Sequence, residues 1–168
     1  ETDEVIELLK VVGKYGGFYA SHIRDEGDRG TYPAAIAEAV EKLHLGMGVG
    51  SQRAAIEDPA LEETFSVARK KAPNAFLIAN LGGPQLTKGY GVKEARKAID
   101  MIEAGAVAIH LNPLQEAVQP EGETCYEGLL KKIRDIVRAI DVPVIVKETG
   151  AGIAGEDAEK LEEAGVAG

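Results

Sequence analysis

Tryptophan is missing from this chain, cysteine occurs once, at Cys125, and histidine occurs only at His22, His44 and His110. A single cysteine excludes an internal disulfide and any cysteine-based metal cluster, and such sparse use fits a reducing, cytoplasmic setting. Cys125 itself reads as an ordinary half-buried thiol. No apolar run approaches the roughly 20 residues that cross a bilayer. No basic stretch leads into an apolar one as in a secretory signal, so no membrane partner is expected. Positive charge is in deficit as well. A formal net charge of −9 argues against nucleic acid as a partner, because phosphates demand a basic face, although one local pocket can still hold a phosphate.

The chain is long enough, at 168 residues, to bury one core and too short for two independent ones, so residues 1–168 are expected to form a single α/β unit. Val5, Ile6, Leu8, Leu9, Val11 and Val12 recur at helical spacing before Gly16-Gly17 and a β-like Phe18–His22. Pro33 then sits at a first helical turn, followed by the stripe Ala35, Ile36, Ala39, Val40 and Leu43. Later strands are expected at Leu45–Val49, Ala75–Ala79, Ala106–Leu111 and Val142–Val146, each a short apolar run of the kind buried on both faces. Helices fit at Pro59–Lys71, Lys93–Ala104, Tyr126–Ile140 and Glu156–Ala164, with Asp58 as a cap before Pro59.

Phe18, Met47, Phe76 and Val107, taken as equivalent core positions, recur about every 30 residues, the period of a βα unit. Alternating βα units with parallel strands suit either a (β/α)₈ barrel or an open doubly wound sheet. No G-x-G-x-x-G follows a strand, which takes weight from the dinucleotide-binding version of the second. The expected fold is a partial or incomplete (β/α)₈ TIM-barrel-type unit of about five βα units, since five strands are visible where a closed barrel needs eight. Exposed sheet edges tend to pair, so a homo-oligomer or completion by another chain is expected.

In both architectures ligands bind beyond the carboxyl ends of the strands. Those ends read Ser21-His22, Gly50-Ser51-Gln52-Arg53, Asn80-Leu81-Gly82-Gly83, His110 to Glu116 with Asn112 and Gln115 between, and Lys147-Glu148. Taken singly, each is more often a loop-satisfying or solvated residue than a functional one. Together they describe a pocket. Lys147 after a Val-rich strand is a cation in want of an anionic partner or a lowered pKa. Ser51 and Asn80 offer groups that read the heteroatoms of a planar ring. Arg53 matches phosphate bidentately, and Glu116 could hold a Mg²⁺ that bridges phosphate oxygens.

The stretches "MGVGSQRAAIEDP", "IANLGGPQLTKGYG", "AIHLNPLQEAVQPEG" and "VPVIVKETGAGI" resemble, in order and spacing, the type 2 isopentenyl diphosphate isomerases, over about residues 37–168. The resemblance implies a (β/α)₈ barrel that binds FMN at its mouth in reduced form, requires Mg²⁺, and converts isopentenyl to dimethylallyl diphosphate. NADPH is the implied reductant of the flavin. It places Ser51, Asn80 and Lys147 on flavin contacts and Arg53 on a diphosphate contact. His110, Asn112 and Gln115 line the substrate near the flavin, and Glu116 is the magnesium ligand. With the reduced flavin shuttling the proton, the protein groups position, polarise and neutralise charge.

Residues 1–33 are similar instead to N-acyl-D-amino-acid deacylases of the amidohydrolase superfamily, in which the histidine of a "SHIRDEG" segment, here His22, is a zinc ligand. A helix-strand-loop of that origin would join isomerase-like βα units over 34–168, a chimera of two barrels. Zinc wants at least three protein ligands, so a complete zinc site is not expected. The chain opens without Met and stops inside a motif, and the Met-Thr-Gly-Gly turn and the flavin-phosphate loop of the isomerases are not in it. The expectation is therefore part of an isomerase that is inactive or binds flavin weakly alone. The alternatives are a recombinant or engineered scaffold that self-associates, or a metal-dependent deacylase.

Overall fold

The computed structural model describes residues 7, 10–12, 14, 15, 19, 20 and 31–168, with only the backbone of 19, 20 and 31–33. The expected first helix lies partly outside these residues, and those of it that are described, 7, 10–12 and 14, are helical. Five parallel strands then form one sheet in chain order: β1 Tyr19–Ala20, β2 Gly46–Gly48, β3 Phe76–Gly82, β4 Ala106–His110 and β5 Val144–Lys147. Between them run α1 Thr31–Lys42, α2 Arg53–Glu57, α3 Glu63–Lys71, α4 Gly83–Thr87, α5 Val92–Ile102, α6 Pro113–Val118, α7 Leu129–Ala139 and α8 Gly155–Glu163. The partial barrel of about five βα units expected from the sequence is what forms. No described helix is long and apolar enough to cross a membrane.

Strand side chains alternate between the two faces. Met47, Leu77, Ala79, Leu81, Val107, Ile109, Val144 and Val146 face the helices and pack there with Val40, Ala95, Ala98, Ile102, Leu129, Ile133 and Ile136 in one buried cluster. On the opposite face Ile78, Ala106 and Ala108 form a separate small cluster with Ile145. Beyond Gly168 O accepting from Val146 N at 2.7 Å, Ala167 N donates to Val144 O at 2.8 Å, so the last two residues pair along the free edge of β5.

Several boundaries differ from the pattern reading. β3 continues to Gly82, so Asn80 lies inside a strand rather than after it. Phe76 opens that strand 53 % exposed, and Leu77 is the core residue in register with Met47. Asp58 does cap the chain at Pro59, its carboxylate accepting from Ala60 N at 3.0 Å, but what it caps is a 3₁₀ turn, Pro59–Leu61, and α3 restarts at Glu63. α1 begins at Thr31, two residues before Pro33. Cys125 is exposed, not half-buried, because it lies in the extended segment between α6 and α7 with its carbonyl turned to Thr87.

One guanidinium closes the amino-terminal ends of the strands. Arg69 Nε donates to Ile102 O at 3.1 Å, Nη2 to Glu103 O at 2.9 Å, and Nη1 to the carbonyls of Ala72, Pro73 and Ala75 at 2.9 to 3.1 Å. These are carbonyls that the ends of α3 and α5 leave without helical partners. Arg69→Ala should therefore lower the free energy of unfolding in urea by about 2 to 3 kcal/mol, given what bonds from a charged donor contribute. Arg69→Lys should recover less than half of it, lacking the planar fork. A loss within about 0.5 kcal/mol, ordinary for a surface change, would refute the clamp.

Candidate active site at the carboxyl ends of the strands

Asn80, His110 and Lys147 occupy the face of the sheet that the helices do not cover, at the carboxyl ends of three adjacent strands. His110 is the register partner of Gly82 on one side and of Lys147 on the other. The imidazole Nδ1 lies 2.8 Å from Asn80 Oδ1, and Asn80 Nδ2 donates to Val49 O at 3.0 Å. Lys147 is half-buried; its main-chain O accepts from Leu111 N at 2.9 Å, and its ammonium makes no hydrogen bond or ion pair among the described residues. A side chain at position 82 would not fit: its Cβ would fall 1.7 Å from Gln85 Oε1 and 2.9 Å from His110 Nε2. Glycine there leaves the room that the imidazole and the carboxamide occupy.

Gln52 sets this arrangement from behind and was not singled out by pattern. It is fully buried. Its Nε2 donates to Ala98 O in α5 at 2.9 Å and approaches Met101 Sδ, while its Oε1 accepts from Asn80 N at 2.9 Å. Its own N donates to Asn80 O at 3.0 Å. The strand end bearing Asn80 is thus tied to the turn after β2 and to a helix. A glutamine in a polar loop gives no sequence signal that separates it from solvated neighbours.

The polar stretch after β4 folds as helix α6 rather than as a loop, with Pro113 in its first turn and Glu116 near its amino end, both favourable there. Asn112, which precedes it, has φ 48° and is 7 % exposed. Its Nδ2 donates to Gln115 Oε1 at 3.3 Å, and its Oδ1 is buried with no partner among the described residues. Glu116 Oε2 accepts from Glu123 N at 2.8 Å, and the loop closes so tightly that a Cβ at Gly122 would meet Glu116 O at 1.7 Å. Tyr126 donates to Leu111 O at 2.6 Å. Burial first, then the carboxylates of Glu116 and Glu148, push its hydroxyl up to about 12. Glu148 Oε2 accepts from Thr149 N and Ala151 N, and Glu123 Oε1 pairs with the Lys88 ammonium, whereas Glu148 Oε1 and Glu123 Oε2 are buried without a donor among the described residues.

The other described candidates make no side-chain hydrogen bond to this group. Ser51, half-buried after β2, makes no hydrogen bond among the described residues. Arg53 is exposed at the start of α2, where its Nε donates to Glu57 at 2.9 Å; that bond holds the Glu57 carboxyl below its usual value, and Tyr90 Oη donates to the same oxygen at 3.2 Å. His44 is exposed after α1 with φ 53°. His22 lies outside the described residues, and among those described no group of three or more His, Cys, Asp or Glu is placed to hold a metal.

No family model matches the chain. It is 61 % identical over 133 residues to the isopentenyl-diphosphate delta-isomerase of Ignicoccus hospitalis, 79 % of this chain and 37 % of that protein. The protein of the same name from Aeropyrum pernix is 58 % identical over 131 residues, 78 % of this chain and 35 % of the relative. That of Metallosphaera sedula is 51 % identical over 158 residues, 94 % of this chain and 41 % of the relative. The resemblance carried by the four motifs is borne out, for a chain that spans little more than a third of the relatives it matches. The third alignment leaves so little of the chain unmatched that it runs into the first 33 residues, and the chimera gains no support from these relatives.

Replacing Gln52 checks the tie between strand and helix. Gln52→Leu leaves Asn80 N without its partner and removes the second bond to Ala98 O, whose helical bond remains; it should cost about 1 to 3 kcal/mol, for one buried group left unpaired. Gln52→Glu faces Ala98 O with a carboxyl that can donate only when protonated, so its folded pKa rises above the ordinary value of about 4.3. The native state then keeps a proton that the unfolded chain has lost. Stability relative to the parent should accordingly be best at acid pH and fall as pH rises through the folded pKa. Urea curves in a pH series read this, and a pH-independent penalty for Gln52→Glu would sink it.

Proposed function

We propose, from the premise that 133 residues of the chain are homologous with part of the isopentenyl-diphosphate delta-isomerases, that it supplies one wall of a site that isomerises isopentenyl diphosphate with reduced FMN and Mg²⁺. The observation that carries this is the unpaired, half-buried ammonium of Lys147 beside His110 on the open face of the sheet. A cation kept without a counter-ion at a strand end suits an anionic ligand, here the reduced flavin ring or a diphosphate.

The side chains fit the implied groups. Asn112 Oδ1 is a buried acceptor in want of a donor, and Ser51 has a hydroxyl that nothing described engages. Mg²⁺ is usually held by one or two carboxylates together with phosphates and waters. Glu116 can offer such a carboxylate while its Oε2 keeps the bond from Glu123 N, and Glu148 Oε1 is a second buried carboxylate oxygen without a donor among the described residues. Arg53 meets Glu57 through Nε alone, which leaves its Nη donors for a phosphate.

When bound, a reduced flavin supplies the proton donor and acceptor for moving a double bond, with NADPH as the reductant that keeps it reduced. The chain's own groups then hold and polarise. Lys147 neutralises negative charge at the ring, Ser51 and Asn80 border it, and His110, Asn112 and Gln115 keep the hydrocarbon part of the substrate against it. The zinc deacylase reading rests on His22 alone. A non-catalytic, self-associating scaffold is separated from the isomerase reading by flavin affinity.

Titration of the chain with FMN, followed by quenching of flavin fluorescence, is expected to give weak but saturable binding. Lys147→Met should weaken it at least about tenfold, equal to about 1.4 kcal/mol. Turnover of isopentenyl diphosphate with reduced FMN and Mg²⁺ measures the activity of the wall on its own or with the remaining length of its relatives supplied. Absence of saturable flavin binding, or equal binding by Lys147→Met, defeats the proposal.

A further inference from the structure

We propose that Asn80 is a positioning residue that locks neutral His110 in the tautomer with its proton on Nδ1, so that Nε2 is the ring's acceptor.

The inference follows from one main-chain carbonyl. Val49 O can only accept, and the Asn80 amide atom 3.0 Å from it must therefore be the NH₂ group, Nδ2. That fixes the other end of the amide: Oδ1, an acceptor, is the atom 2.8 Å from His110 Nδ1. Two acceptors do not share a contact of that length, so the proton lies on Nδ1. The amide cannot turn to suit the opposite tautomer, because turning it would set Oδ1 against Val49 O. Nor can the strand slide to relieve the pair, since Asn80 N and O are both bonded to Gln52. The order of constraint runs from Gln52 to the backbone of Asn80, from Val49 O to its amide, and from the amide to the imidazole.

Free histidine prefers the opposite form, with the proton on Nε2. Which nitrogen carries it in a protein is set by the bond the other one makes. Here an in-strand asparagine fixes the Nδ1 end of the ring, and Nε2 lies on the side of Gly82. The consequence for chemistry rests on the isomerase reading: in neutral His110, Nε2 accepts a hydrogen bond or a proton and cannot donate one. The tautomer itself does not depend on that reading, and its test does not involve turnover.

The chain has three histidines, which makes a long-range ¹H–¹⁵N spectrum of the ring-labelled protein simple to read. It would be recorded at pH about 9, well above the ordinary imidazole pKa of about 6.5, with His110→Gln identifying the signals of His110. Nε2 is recognised by its couplings to both ring C–H protons, and Nδ1 by its coupling to one. In the parent chain Nε2 of His110 should show the shift of an unprotonated nitrogen and Nδ1 that of a protonated one. Asn80→Asp, which keeps an acceptor for Nδ1 at the cost of the bond to Val49 O, should retain this pattern in the folded protein. Asn80→Leu, which removes it, should invert the pattern toward protonated Nε2. A protonated Nε2 in the parent or in Asn80→Asp overturns the proposal, and so does an unchanged pattern in a folded Asn80→Leu. If Asn80→Leu does not fold, the parent and Asn80→Asp spectra decide it. Loss of flavin binding with the Nδ1 pattern intact would count against the isomerase reading alone.

Discussion

The buried carboxamide of Gln52 meets a strand, a turn and a helix at one point, and the polar end of the sheet takes its geometry from that meeting. Each of its bonds adds only about 1 kcal/mol net, because water would have served both partners in the unfolded chain. What it controls is position. With Gln52 Oε1 on Asn80 N and Nε2 on Ala98 O, β3 cannot shift against the turn after β2 without leaving Asn80 N and the buried Gln52 carboxamide unpaired. The penalty for such a shift exceeds the gain from the bonds themselves, which is how a buried polar group fixes one arrangement among several of similar hydrophobic content.

That fixed point matters because the two faces of the sheet are built on opposite rules. Toward the helices the strands place Leu, Val, Met and Ala, whose packing tolerates small adjustments and sets no direction for a polar group. On the other face the strand interiors carry Ile78, Ala106, Ala108 and Ile145 and then change to Asn80, His110 and Lys147 at the carboxyl ends. Polar groups in such a row, above an apolar floor, interact at lower effective dielectric than they would in water. The acidic balance of the whole chain does not describe this place. Lys147 stands on the inner face, and the carboxylates of Glu116, Glu123 and Glu148 gather at the loop end by Tyr126 and the turn after β5.

Much of this was legible in the order of residues. Short apolar runs located every later strand to within a few positions, because a strand buried on both faces needs such a run wherever it occurs. The polar strand ends were legible for the same reason, as the places where the run stops. Two misreadings share a cause. Asn80 was placed after its strand and Phe76 inside the core because apolarity was read as burial. At the rim of a half-closed sheet the inward face admits an asparagine, and the first residue of a strand can be largely solvated. The helix after Asn112 was hidden by its polar content, although Asn-Pro followed by an acidic residue is a helix start in its own right. Gln52 was illegible, since what distinguishes it is an Asn80 N and an Ala98 O brought to it from far along the chain.

Asn112 shows why the polar end is more than a by-product of folding. A residue other than glycine in the left-handed region carries some strain, smallest for asparagine, and a buried acceptor without a donor costs about 1 to 3 kcal/mol. Against a typical domain stability of about 5 to 15 kcal/mol, the sum is large for one side chain. Glycine would relieve the strain and remove the orphaned oxygen together, and it would leave the bond from Glu116 N to the carbonyl of residue 112 in place. The asparagine is therefore not what folding asks for at that point. Its one internal bond, to Gln115 at 3.3 Å, is long and offsets little. What it adds is a buried acceptor held at a fixed angle just past the carboxyl end of β4.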